Sequence, residues 1–159
     1  RASSPAPPRR PTAPRLVLMG PVHDQPGEAD GVILAGRQPE AVKWGALAAC
    51  RFLVAPSAQE SFSLVVIESW LAGRPVLVNR RCGPTVEHCR RSGGGLWFDE
   101  YGDLEAAADR LAERAGPGDR MGQLGRSYAR ACFGWDAVLD RYEELAGRVL
   151  ARADDRRAG

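Results

Sequence analysis

The chain has 159 residues, 44% hydrophobic and 26% charged, with a formal net charge of +2. That is enough for one domain with its own core, and too weak a field to point to nucleic acid or an acidic membrane. Aromatic residues make up only 7%, with no basic run interleaved among them, which sets a nucleic-acid partner aside. No apolar run approaches the roughly 20 residues that span a bilayer, so no transmembrane segment is expected. No secretory signal stands at the N-terminus either. A cytoplasmic placement is expected, with peripheral attachment to a membrane left open.

Residues 1–14 hold five prolines and no large apolar side chain, and read as a disordered tail or linker. The chain starts at Arg1 rather than Met, as a piece of a longer protein would. "RLVLMG" (15–20) and "GVILAG" (31–36) read as strands. "PEAVKWGALAAC" (39–50) has helical spacing with Pro in its first turn. "RFLVAPS" (51–57) is a strand that halts at Pro56. "SLVVIESWLAG" (63–73) is a helix stopped by Gly73 and Pro75. "PVLVN" (75–79) is a strand, "PTVEHCRRS" (84–92) a short helix and "GLWF" (95–98) a strand. From Gly102 onward the pattern is helical. Leu104, Ala107, Ala108, Leu111 and Ala115 form one stripe, and Val138, Tyr142, Leu145 and Val149 another. The folded part is expected over 15–152, with residues 153–159 as a second disordered tail.

Short, wholly apolar strands alternating with helices predict an α/β fold: a Rossmann-like parallel sheet with helices on both faces. Ligands of such sheets bind outside the carboxyl ends of the strands. The loops of interest therefore follow Gly20, Gly36, Pro56, Val78 and Phe98. The four cysteines, at 50, 82, 89 and 132, have no metal-ligand spacing and read as reduced thiols. His88, on a polar helix, reads as a surface residue. No dinucleotide fingerprint, P-loop or hydrolase triad is present, and Asp99, Glu100 and Asp103 read as turn and cap residues rather than metal ligands.

One segment stands out: "PSAQESFSLVVIESWLAGRPV", residues 56–76. Glu68 sits in a helix that is apolar nearly all round, where an unpaired carboxylate costs several kcal/mol. It needs either an arginine such as Arg74 or Arg81, or a ligand rich in hydroxyls, such as a ribose. Glu60 precedes that helix, in a loop at a strand's carboxyl end, where free N–H groups and the helix dipole suit a phosphate. It reads either as a solvated loop acid or as a group facing what the phosphate carries.

The segment resembles the retaining glycosyltransferases of family 4, whose Glu-x7-Glu motif lies in the C-terminal half of a two-domain GT-B fold. "RLVLMGP", "GVILAGR", "CGPTVEH", "GGGLWFDEYGDLEAAADRL" and "FGWDAVLDRYEEL" extend the likeness over roughly residues 15–150. The resemblance implies transfer of a sugar from a nucleotide sugar, UDP- or GDP-linked, to an acceptor hydroxyl with retention, and no metal or other cofactor. It implies that Glu60 is the catalytic-site acid that holds the donor sugar hydroxyls rather than a proton donor. The backbone of Ser61, Phe62, Ser63 and Leu64 would meet the sugar and diphosphate. Glu68 would bind the ribose, and Arg37 and Gln38 the base.

Two departures qualify it. The family's loop glycines are Ser61 and Ser63 here, and serine lacks glycine's freedom at positive φ. The first strand of the family's C-terminal half, and the Arg and Lys loop that holds the diphosphate, have no match. An N-terminal domain or partner chain supplying the acceptor side is therefore implied. A non-catalytic module that binds a nucleotide sugar or a partner is the alternative.

Overall fold

The computed structural model describes residues 15–21, 30–113 and 116–158, with side chains described as far as residue 151. The predicted tail 1–14 and Ala115 lie outside the described residues. The described elements run β1 (Leu16–Met19), β2 (Val32–Gly36), α1 (Glu40–Ala49), β3 (Leu53–Ala55), α2 (Leu64–Leu71), β4 (Val76–Asn79), α3 (Gly83–Ser92), β5 (Gly95–Phe98), α4 (Tyr101–Ala112), α5 (Pro117–Phe133) and α6 (Trp135–Ala158). Every element expected up to residue 98 is present, its ends moved by at most two residues.

The elements fall into two units, one ending at Ala46 and the other beginning at Leu47. In the first, β1 and β2 pair in parallel, Leu16 opposite Val32, with an irregularity between Leu18 and Met19. Their side chains at Leu16, Val17, Leu18, Met19, Ile33 and Leu34 are exposed. The described strands form two separate parallel sheets, β1-β2 and β3-β4-β5.

In the second unit all three strands are parallel and β4 is central. Successive strand residues point to opposite faces, and Val76, Leu77 and Val78 are all fully buried, so both faces of β4 are covered. Val76 and Val78 pack with Val66, Ile67 and Trp70 of α2, Val86 and Cys89 of α3, and Ala129 of α5. Leu77 packs the other way, with Phe98 and with Leu104, Ala107, Ala108 and Leu111 of α4. The predicted α4 stripe is thus the lid of one face.

Trp70 ties α2 to the rest. It is fully buried, and its indole N–H donates to the Gly94 carbonyl at 2.8 Å. Space for it comes from glycines: a methyl group at Gly94 or Gly125 would overlap the indole. Gly118, Gly122 and Gly125 are the buried residues of α5 along with Ala129, and a methyl at Gly122 would strike the Gly73 carbonyl. A helix that carries three interior glycines gives up roughly 1 kcal/mol at each relative to alanine. The close approach of α5 to α2 offsets that.

The helix predicted at the C-terminus forms, but it runs on to Ala158 through the residues assigned to a tail. Arg, Asp and Ala hold no helix breaker, so nothing in residues 153–158 stops it. Its stripe is not covered: Tyr142, Leu145 and Val149 are 68%, 51% and 57% exposed among the described residues. No described helix is long and apolar enough to cross a membrane. All four cysteines are free thiols, Cys82 and Cys89 fully buried.

The Trp70 seat gives a direct test. Gly125→Ala adds a methyl where the indole stands, and overpacking of this kind costs about 1–3 kcal/mol. Urea denaturation is expected to show that loss, while Gly147→Ala on exposed α6, where a methyl meets nothing, is expected to be neutral or mildly stabilising.

Candidate functional site

Because β3, β4 and β5 are parallel, the loops that follow them emerge at the same end of the sheet. The segment after β3 runs over residues 56–63 and feeds directly into α2. Its start is braced twice. Ser57 Oγ donates to the Gln59 carbonyl at 3.0 Å and accepts from the Gln59 N–H at 3.3 Å. Asn79, at the end of β4, donates through its side-chain amide to the Pro56 carbonyl at 3.0 Å and accepts from the Arg81 N–H at 2.9 Å. Asn79 therefore joins the loops that follow β3 and β4. Sequence reasoning passed over it; a polar residue closing an otherwise apolar strand was the available signal.

Ser63 is the N-cap of α2 and takes φ 62° and ψ 77°, the left-handed region. It is the one non-glycine residue with positive φ among the described residues. The chain thus enters α2 through a conformation that glycine adopts freely and serine at a cost. Its hydroxyl makes no capping bond to the helix, so the first-turn N–H groups are not closed off by the N-cap side chain.

Glu60 and Ser61 are exposed, Phe62 is half-buried and Ser63 is buried. Leu64 is 70% exposed, which leaves the start of α2 open to solvent although the helix is apolar. Glu68 lies one turn beyond Leu64 and is half-buried. Of the two arginines considered beside it, Arg74 donates to the Ala48 carbonyl and Arg81 Nε lies 3.6 Å from Asp99 Oδ1. The structure thus brings Glu60, Ser61, Phe62, Ser63, Leu64 and Glu68 together on one loop and helix. Arg37 and Gln38 follow β2 in the first unit, both exposed, with the Gln38 amide donating to the Ala35 carbonyl.

The other arginines of residues 79–91 divide. Arg90 lies over the Trp97 ring at 5.6 Å and Arg91 over the Tyr128 ring at 5.7 Å. Arg80 lines a shallow cleft of about 380 Å³ with Leu96, Trp97, Asp99, Asp103 and Arg110, beside β5 and α4 rather than the 56–63 loop. Asp103 accepts from the N–H groups of Asp99 and Glu100, which is the turn and cap role expected of these acids. No group of three or more His, Cys, Asp or Glu side chains among the described residues is placed to hold a metal.

His88 is not a surface residue. It is half-buried among Phe62, Trp70, Tyr128 and Phe133, with Nδ1 3.0 Å from the Tyr128 hydroxyl. Burial lowers its pKa below the ordinary 6.5, and the Arg91 charge lowers it further against the opposing pull of Glu87.

Known proteins with the same pattern place the chain. Residues 8–114 match the family of glycosyl transferases group 1. The chain belongs to that family. It is 34% identical over 117 residues to the D-inositol 3-phosphate glycosyltransferase of Thermobispora bispora, a match spanning 72% of this chain and 26% of that protein. It is 31% identical over 131 residues to the lipopolysaccharide core biosynthesis glycosyltransferase LpsD of Rhizobium meliloti, across 81% of this chain and 37% of the relative. Among solved structures, sucrose-phosphate synthase of Thermosynechococcus elongatus superposes with a TM-score of 0.65 at 27% identity, covering 77% of this chain and 31% of that one. WaaG, a glycosyltransferase involved in lipopolysaccharide biosynthesis, superposes with a TM-score of 0.63 at 19% identity over 84% of this chain and 38% of its own, a likeness of fold. The architecture is that of the C-terminal domain of GT-B glycosyltransferases. The chain spans 26% and 37% of the lengths of these two curated relatives.

Two outcomes follow from the loop and from His88. Ser63→Gly removes the left-handed strain and is expected to raise unfolding free energy by up to about 1 kcal/mol, whereas Ser63→Val is expected to lower it by about 2 kcal/mol; a destabilised glycine variant in urea titrations would contradict the strain argument. For His88, the unfolded chain binds the proton more readily than the folded one. Its share of the stability is therefore present above pH 6.5 and is lost as the pH falls through the lower folded-state pKa. The Tm difference between wild type and His88→Gln, measured from pH 7.5 to 5, is expected to shrink as the pH falls.

Proposed function

We propose that this chain is the nucleotide-sugar donor-binding part of a retaining glycosyltransferase of the family 4 type. The observation that carries the reading is the junction of loop and helix at the carboxyl end of β3. There a left-handed Ser63 opens the first turn of α2 to solvent, with one carboxylate ahead of it and one behind. The arrangement suits a ligand that is a polyol at both ends and anionic in the middle.

In this reading Glu60 accepts hydrogen bonds from the donor sugar hydroxyls and orients the anomeric carbon; it moves no proton. The backbone N–H groups over Ser61, Phe62, Ser63 and Leu64, with the positive end of α2, hold the diphosphate and stabilise the charge it gains as it leaves. Glu68 accepts from the ribose hydroxyls, and Arg37 and Gln38 meet the base. The donor is a UDP- or GDP-sugar, the acceptor carries a hydroxyl, and the reading assigns no metal or other cofactor. The acceptor side comes from an N-terminal domain or a partner chain. The protein works in the cytoplasm, free or attached peripherally to a membrane.

A second reading is a module that binds the nucleotide sugar or a partner without turnover. Calorimetric titration with UDP-, GDP- and ADP-sugars, followed by transfer and hydrolysis assays, separates the two. Charge-assisted hydrogen bonds of the kind assigned to Glu68 are worth about 1.5–3 kcal/mol, so Glu68→Ala is expected to weaken donor binding by about 10- to 100-fold. An unchanged affinity removes the ribose role, and binding with no turnover supports the module.

A further inference from the structure

Phe62 is the only aromatic residue of the 56–63 loop, and two rings outside that loop meet it. Its ring meets His88 of α3 at 5.3 Å between centroids, with an interplanar angle of 88°. It meets Phe133, the last residue of α5, at 5.0 Å and the same angle. Trp70 of α2 belongs to the same packed cluster. Edge-to-face pairs at these distances are attractive and geometrically selective.

His88 is the hub of this group. Its ring also meets Phe133 at 5.6 Å, Tyr128 of α5 at 6.0 Å and Trp70 of α2 at 6.5 Å. One imidazole thus contacts the loop, α2 and α5 from its place on α3. The hydrogen bond between Nδ1 and the Tyr128 hydroxyl sets how the ring is turned, and the turn sets how it meets Phe62. A phenyl ring in its place would leave the Tyr128 hydroxyl without that partner. The charged and titratable groups around it are Glu87 and Arg91 of α3, Tyr128 of α5 with the Arg91 guanidinium over its ring, and Arg141 of α6, whose charge acts on Tyr128.

We propose that His88 is a positioning residue for the 56–63 loop, acting through Phe62, so that its imidazole fixes the backbone on which Glu60 and Ser63 stand. The consequence for donor binding rests on the reading of that loop given above; the mechanical claim does not. Glu60 lies two residues before Phe62 and the left-handed Ser63 one after it. A loosened Phe62 therefore moves both the carboxylate and the entry to α2.

Hydrogen exchange read by mass spectrometry on the ligand-free chain tests it. The variants are His88→Ala, Tyr128→Phe and, as a control that loosens α3 through the core instead, Val86→Ala. Loss of one edge-to-face contact is expected to speed exchange in residues 57–65 of His88→Ala about two- to tenfold, under conditions where β4 exchanges as in wild type. Tyr128→Phe should give a smaller increase and Val86→Ala none confined to the loop. Exchange in 57–65 that stays at the wild-type rate, or that rises equally in Val86→Ala, overturns the proposal. Nucleotide-sugar titration is run alongside. A wild type that binds no donor defeats the functional reading and leaves the exchange result to decide His88. A wild type that binds, with His88→Ala weakened by the same factor as the loop is loosened, joins the two.

Discussion

The seat of Trp70 is the contact on which the rest of the second unit depends. A buried indole must satisfy its N–H, and here the Gly94 carbonyl does so at the turn into β5. The same ring lies against Gly125, so α5 approaches α2 at the distance that only a bare backbone permits. One side chain therefore fixes α2 relative to β5 and α5 together. Since α2 begins where the 56–63 loop ends, its N-terminus is held from below by this seat.

The loop above it combines a strained backbone with a firm footing. Left-handed serine is costly and persists only where the surroundings over-determine it. The over-determination is visible: Asn79 holds Pro56 at one end, and at the other Phe62 is packed among rings from α2, α3 and α5. This answers the concern raised by the serines that replace the family's glycines. Only Ser63 takes a positive φ; Ser61 does not, so a single position carries the strain. An exposed Glu60 and a half-buried Glu68 then stand on a scaffold whose polar placement does not depend on burying either charge fully.

Much of the fold was legible in the sequence because its signals are local. Apolar runs bounded by Gly and Pro gave the strands, and the alternation along Val76, Leu77 and Val78 forced two covered faces. The stripe of α4 was readable for the same reason. What was hidden is non-local. No spacing reveals that His88 meets Phe62, twenty-six positions earlier in the chain, or that Tyr128 turns its ring. A histidine on a polar helix looks like surface until α5 is packed on it. The use of the α5 glycines appears only once Trp70 is in place. Ser63's φ was not legible either, because serine's preference runs the other way and the packing overrides it.

The stripe on α6 fails differently. Its periodicity was read correctly, and the helix exists, but periodicity reports that a face is apolar and not what lies against it. In α4 the partner is the sheet of the same unit, so the stripe is buried. Along α6 a tie to α5 lies near its start, where Arg141 donates to the Cys132 carbonyl at 3.0 Å. Beyond it the side chains at Tyr142, Leu145 and Val149 stay in solvent, and the helix keeps its form through backbone bonds, good helix formers and the i,i+4 pair of Glu144 with Arg148 at 3.9 Å. The same distinction applies to β1 and β2. Their residues are as apolar as those of β4, yet a pair of strands offers two faces and the described residues cover neither, whereas the triplet is covered on both. Burial in this chain follows from the layers present, and composition sets only which residues would accept it.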